Sequence, residues 1–265
     1  DRLGAIFNRR PILQRVFFSI LNLVFLRSWY VRRELRRRFS SIDSSQAIRV
    51  LDAGTGFGQY TYWILSHFPR ANVVAVDIKE DYLEQARKLT DARGYGDRVR
   101  YVIDDLTQLE TSGPFDFILS VDVMEHIEDD RGVLRNFEKV LAPGGGVLIN
   151  TPSDLGGSDI QTEGDESFIS EHVRDGYNKD ELEEKLSTAG LTPVRTVYTY
   201  GRAGNLAWRL LIKYPMKMLG TWWGFLVILP VYYLLVLPVG LLLNAADLNI
   251  ANERGTGILA FAQKP

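Results

Sequence analysis

Five short runs rich in β-branched and aromatic residues, at 48–51, 73–76, 99–103, 115–120 and 147–150, alternate with stretches of helical spacing. A strand that feeds a helix returns to pack beside its predecessor in parallel, so this alternation confines 47–152 to a doubly wound α/β sheet. Helices are expected at 60–66, 80–92 and 131–141, the last stopped by Pro143 and three glycines. A further helix is expected at 178–189, with Asn178 as N-cap and Gly190 beyond its end. A sixth strand follows at 193–200, and 257–263 reads as a short apolar strand completing the sheet. For 265 residues one well-cored domain suffices.

Composition narrows the chemistry. With no cysteine, disulfide frameworks, thiolate metal sites and cysteine nucleophiles are ruled out. The net charge of -2 hides a division, because 1–40 carries ten arginines against Asp1 and Glu34. Within it the apolar run 16–26 is too short to cross a bilayer, and an interfacial basic helix is the expectation. The alternative is a helix packed on the domain with a solvated basic face. Residues 218–246 are 29 positions without a charge. As one straight helix they would measure about 44 Å, more than the roughly 30 Å of a bilayer's hydrocarbon core. Pro230, Pro238 and Gly240 interrupt them.

The sharpest motif is Asp52-Ala53-Gly54-Thr55-Gly56-Phe57-Gly58, at a strand-to-helix junction. Glycines there let a ligand approach the backbone, and the helix start offers unpaired N–H groups. A dinucleotide turn would read G-x-G-x-x-G, but Gln59 stands where its third glycine belongs. Asp77, nineteen residues after Gly58, ends the second strand, where a carboxylate can accept bonds from both hydroxyls of a ribose. Asp104 and Asp105 follow the third strand, suited to an adenine amino group or to capping a helix.

Together with 105–109, 115–118, Glu125-His126-Ile127 and the run from Leu141 to Pro152, these residues resemble the class I S-adenosylmethionine-dependent methyltransferases, in the branch that modifies quinones and lipids. The resemblance covers 48–152. It implies a sheet of order 3-2-1-4-5-7-6 with the seventh strand antiparallel. It implies S-adenosyl-L-methionine as cofactor, with Asp52, Gly54, Thr55, Gly56 and Gly58 around its methionine part, Asp77 and Ile78 at the ribose, Asp105 and Leu106 at the adenine, and Ser120 and Val121 on the other side. Asp105 is preferred to Asp104 because it lies four residues before Leu109. No metal is required. Candidate groups around the acceptor are His126, His172, Glu125 and Tyr177, a histidine being suited to take a hydroxyl proton near neutral pH.

In that fold the uncharged stretch falls between strands six and seven, so both its ends lie on one side of a membrane and a single span is ruled out. A broken helix bent at Pro230 or Pro238, or interfacial helices with Trp222, Trp223, Tyr232 and Tyr233 at headgroup depth, remain. The division expected is a basic interfacial segment (1–40), a methyltransferase core (41–202), a membrane-associating insertion (203–250) and the last strand (251–265). The functional expectation is a peripheral or monotopic enzyme on the cytoplasmic face of a membrane. It would methylate a hydrophobic or amphiphilic acceptor, O-methylation slightly preferred to N-methylation, with a homodimer compatible. Nucleic acid is a weaker partner than a lipid surface, since it leaves the uncharged stretch unexplained. A soluble small-molecule methyltransferase, or a membrane-anchored module that binds the cofactor without catalysis, competes with that expectation.

Overall fold

A computed structural model of the chain describes residues 11–40, 46–155 and 173–265. Two helices, α1 (Pro11–Val24) and α2 (Leu26–Phe39), precede the sheet. The strands are β1 (Ile48–Ala53), β2 (Ala71–Asp77), β3 (Val99–Ile103), β4 (Phe115–Val121), β5 (Leu141–Pro152), β6 (Thr192–Thr199) and β7 (Gly257–Gln263). They form one sheet in the order β3-β2-β1-β4-β5-β7-β6, as the resemblance implies. β1 to β5 run parallel, and β7 lies antiparallel between β5 and β6.

The strands bury alternate residues on opposite faces, the two-residue period of a sheet covered on both sides. Val50, Phe117, Leu148 and Leu259 face one core, with α2, α3 (Gln59–His67) and α4 (Glu80–Asp91) packed over it. Leu51, Ile118, Ile149 and Ala260 face the other, beneath α5 (Asp130–Val140) and α6 (Lys179–Thr188). Asn178 caps α6 through a bond accepted from the Glu181 amide at 2.8 Å.

The arginine-rich α2 is a core helix on its inner face. Leu26, Tyr30, Val31, Leu35 and Phe39 are buried, and Phe39 meets Phe68 and Phe117 edge-on. Its arginines lie along aromatic surfaces: Arg32 and Arg36 over Trp63, Arg38 over Phe261. The guanidinium heads themselves lie over the ring faces, a cation–π arrangement that lets charged groups pack on the helix's aromatic neighbours.

Between β6 and β7 the chain makes a helical hairpin. It leaves through α7 (Arg202–Trp208), a π-helical turn (Arg209–Lys213) and α8 (Tyr214–Thr221), rounds a tip at 222–228, and returns through α9 (Leu229–Asn249). The reversal falls at Trp222, which is extended (φ -160°, ψ 125°), and not at Pro230 or Pro238. Pro230 sits in the first turn of α9, where its missing N–H has no partner to lose, and Pro238 is carried inside the helix. The π turn widens the outgoing arm, and the carbonyls of Leu210 and Leu211 accept from the hydroxyls of Tyr232 and Tyr233 at 2.8 and 2.7 Å. Those two tyrosines therefore clip the arms together with their hydroxyls turned toward the outgoing arm. Trp222 and Trp223 are exposed at the tip, 64% and 65% accessible.

Asp247, fully buried, fastens the hairpin's base. Its carboxylate accepts from Tyr30 of α2 at 2.9 Å, the Gly204 amide at 2.9 Å and Asn252 at 3.2 Å. Among the described residues one helix, α9, is long and apolar enough to cross a membrane, and little of it is buried.

Candidate functional site

β1 delivers Asp52 to the carboxyl edge of the sheet, where the chain turns sharply through 54–58 into α3. The amides of Gly54 and Thr55 both donate to the Val76 carbonyl at 2.9 Å, so the turn is anchored to β2. Gly54 has φ +79°, and a Cβ there would stand 2.3 Å from the Val123 side chain. Gly56 has φ +54°, yet a Cβ there would meet nothing within 4 Å. Gly54 is thus fixed by backbone shape and packing together, whereas Gly56 borders open space.

Asp52 is buried, and its Oδ2 accepts from Thr55 Oγ1 at 2.7 Å and Thr61 Oγ1 at 2.6 Å. Burial pushes its carboxyl up from the ordinary range, the two threonine hydroxyls pull it back in part, and the Asp77 charge adds to the rise. Asp77 ends β2 with Oδ2 accepting from the Gly56 amide at 2.8 Å and Oδ1 from the Lys79 amide at 3.0 Å. Ile78 beside it is 65% exposed, an apolar wall at the mouth. After β3 the two aspartates separate by role. Asp104 is buried and braces its loop, accepting from Thr111 N, Thr111 Oγ1 and Glu110 N. Asp105 is exposed and uses Oδ1 alone to accept from Thr107 N and Oγ1. Leu106 is buried, its carbonyl held by Asn136 at 3.0 Å. Ser120 is fully buried at the end of β4 with no hydrogen-bond partner for its hydroxyl among the described residues, and Val121 beside it is half-buried. An orphaned buried hydroxyl is costly without a partner. With the open space at Gly56 and carboxylates at the ends of β2 and β3, this donor set fits an adenosyl cofactor laid across the strand ends.

The acceptor side differs from expectation. Tyr177 is fully buried, its hydroxyl donating to Asp130 Oδ2 at 2.7 Å and facing the Met124 carbonyl at 3.2 Å. Glu125 is buried and accepts from Thr151 Oγ1 at 2.9 Å, while its carbonyl takes the Val173 amide. Both hold the turn after β4 and are spent on that task, a correction to their expected contact with substrate. His126 is half-exposed on the same turn. His172 and Glu171 lie outside the described residues.

Sequence reasoning missed Arg27, Asp122 and Tyr200. Asp122 and Tyr200 are the non-glycine residues of positive φ among those described, at +53° and +54°, and strain of this kind gathers at functional sites. One residue joins them: the Arg27 guanidinium pairs with Asp122, and the Arg27 amide donates to the Tyr200 hydroxyl at 3.1 Å. Tyr200 is pushed up to about 12, chiefly by burial. Gln59, at the start of α3, donates to Asn22 of α1 at 2.7 Å and Ser28 of α2 at 3.3 Å. The α1–α2 corner thereby roofs the glycine turn. No sequence signal marks a left-handed Asp or Tyr, and Arg27 was one arginine among ten.

Residues 50–145 match the family of methyltransferase domains. Among curated relatives, a ubiquinone biosynthesis O-methyltransferase of Caulobacter sp. is 33% identical over 132 residues, covering 46% of this chain and 49% of that protein. Malonyl-[acyl-carrier protein] O-methyltransferase 2 of Ilyobacter polytropus is 26% identical over 109 residues, 41% of each chain. The chain thus spans less than half the length of these relatives. Phosphoethanolamine N-methyltransferase 2 of Haemonchus contortus, solved with S-adenosyl-L-methionine, shares the fold at a TM-score of 0.63 and 21% identity, over 97% of this chain and 57% of that one. The sheet order, the glycine turn with its flanking carboxylates and the match over 50–145 together identify that part of the chain as a methyltransferase domain of the S-adenosylmethionine-dependent kind.

Proposed function

We propose that the protein is a monotopic enzyme on the cytoplasmic face of a membrane, transferring a methyl group to an oxygen of a lipid, quinone or other hydrophobic acceptor. S-adenosylmethionine supplies a methyl group already activated on a sulfonium. The chain's own share is alignment and exclusion of water. Asp77 and Asp105 hold the nucleoside, Ser120 and the 54–58 turn hold the remainder, and the α1–α2 corner closes above them. His126 is the group proposed to take the proton of an acceptor hydroxyl, imidazole being suited to that task near neutral pH.

The observation that carries the reading is where the hairpin stands. In the sheet register Thr199 of β6 lies beside Gly257, which lies beside Pro152 at the carboxyl end of β5. The hairpin therefore leaves from the same sheet edge as the glycine turn and Asp77. Its outer surface exposes Trp222, Trp223, Val227, Val231, Leu234 and Leu235, an apolar patch that calls for a non-aqueous neighbour. The deciding experiment incubates the purified chain with methyl-labelled cofactor and a total lipid extract. A methyl-sized mass gain on a lipid or quinone is the expected result. Label confined to protein or RNA, or a water-soluble dimer that ignores liposomes, would reject the reading.

A further inference from the structure

The hairpin's polar root is as distinctive as its tip. From 202 to 246 the chain carries no acidic residue in 45 positions, and its four cations, Arg202, Arg209, Lys213 and Lys217, all fall on the outgoing arm before the uncharged stretch begins. Charge is thus graded along the hairpin, basic at the sheet and neutral at the tip.

The two ends of the insertion mirror each other in sequence, Gly201-Arg202 leaving and Arg254-Gly255 returning. The Thr256 amide donates to the Tyr200 carbonyl at 3.2 Å, and Thr199 pairs with Gly257, so the two arginines are brought to one place by the ladder itself. Gly255 has no room for a side chain, since a Cβ would stand 2.1 Å from the Thr199 carbonyl oxygen. Between these ends opens a groove of about 400 Å³ lined by Leu155, Tyr200, Arg202, Leu206, Arg209 and Arg254. No carboxylate among the described residues lines it. The neighbouring Glu253 lines a different groove, on the Tyr30 and Lys179 side. The three arginines are exposed, and Leu155 and Leu206 beside them are 50% and 47% exposed. Tyr200 belongs both to this groove and, through Arg27 and Asp122, to the end of β4 where the cofactor pocket lies.

We propose that this groove binds the anionic phosphate or carboxylate headgroup of an amphiphile whose chains lie along the hairpin. Arg202 and Arg254, gathered by the ladder with Arg209 two turns further along the same arm, concentrate positive charge at one spot, and guanidinium forks suit phosphate and carboxylate oxygens. The exposed leucines and the apolar arm above favour a headgroup bearing tails over a bare ion or a nucleic acid backbone. The proposal rests on the membrane reading above and deepens it, since the acceptor, or the lipid presenting it, would be acidic.

The test is vesicle flotation with the full chain, using phosphatidylcholine alone and phosphatidylcholine mixed with phosphatidic acid. The wild type is expected to bind the acidic vesicles far more tightly. Arg202→Gln with Arg254→Gln should reduce that affinity by about 30-fold, from roughly 1 kcal/mol per basic residue at a charged surface. Adding Arg209→Gln should reduce it further, and weak binding to neutral vesicles should be unchanged in every variant. Calorimetry with S-adenosylmethionine confirms that the variants remain folded. Equal wild-type binding to both vesicle types would overturn the headgroup site and leave membrane association standing. Binding to neither would overturn the membrane reading itself. Titration with inorganic phosphate separates the remaining source: phosphate binding lost in the double variant, with no vesicle binding, would keep an anion site and overturn the lipid as its occupant. Arginine-dependent binding to mixed RNA in place of acidic vesicles would also overturn the proposal.

Discussion

Replacing Asp130 by Asn should unfasten the turn that carries His126. Asp130 is 4% exposed, and its Oδ2 accepts from Lys185 Nζ at 2.6 Å, from the Tyr177 hydroxyl at 2.7 Å and from the Arg174 guanidinium. Arg174 also donates to the carbonyls of Ile127 and Glu128, so this one carboxylate ties residues 174–185 to the chain after β4. Removing one partner of a buried ion pair costs about 3–5 kcal/mol. Lys185 keeps Glu181 at 2.9 Å and Arg174 keeps its carbonyls, which places the loss near the lower end, at about 3 kcal/mol. For a domain of this size that is a fall in Tm of roughly 6–12 °C. The pH dependence supplies the sharper check. Burial alone would raise the Asp130 carboxyl, but bonds from Lys185 and Tyr177 and the charges of Lys185 and Arg174 outweigh it and hold it below its ordinary value. A depressed carboxylate stabilises fully above its unfolded pKa near 4 and loses that contribution as pH falls through the lower folded value. Melting curves of wild type and Asp130→Asn followed by circular dichroism should therefore differ at pH 7 and converge as the pH drops below about 4. A Tm within about a degree of wild type at pH 7, or a gap that persists undiminished in acid, would refute the reasoning.

Other perturbations separate the parts of the molecule. Gly54→Ala must displace Val123 and should lower both Tm and cofactor affinity, whereas Gly56→Ala should cost only about 1 kcal/mol of left-handed strain while weakening cofactor binding by more than that; calorimetry beside thermal melts decides. Arg27→Met should depress acceptor turnover about tenfold, with S-adenosylmethionine affinity changed by less than about threefold, a split read from steady-state kinetics against calorimetry. Trp222→Ser with Trp223→Ser should leave Tm unchanged, because both rings are exposed, while liposome binding falls by about tenfold or more.

Where the sequence was legible, a strong local signal met a strong global constraint. The parallel strands announced themselves because all but the edge strand β3 are buried on both faces and so are written in apolar and β-branched residues, and the 54–58 turn because only glycine suits its backbone. Asn178 was readable as a cap for the same reason of local chemistry. The arginines of α2 hid its role: a run of 32–38 looks like a solvated face, yet the guanidiniums of Arg32, Arg36 and Arg38 lie over Trp63 and Phe261, and the apolar stripe beneath is visible only once the sheet is known. Prolines misled about the hairpin, because Pro230 marks the start of a helix as readily as a break. Tyr177 misled because a tyrosine near a histidine reads as site chemistry, whereas its partner Asp130 lies 47 positions away. The Arg27–Asp122–Tyr200 link joins residues 173 positions apart and leaves no local trace.

The root of the hairpin also separates the reach of the insertion from the closing of the sheet. Because Thr199 and Gly257 sit opposite each other in the ladder, the sheet closes without regard to how much chain is looped out between them. Trimming 209–240 to a tight turn would keep Asp247 on Tyr30 and Gly204 and leave β6 and β7 in register, with the nucleoside pocket floored as before. The excursion between the two strands can thus vary in length and composition while the pocket keeps its floor.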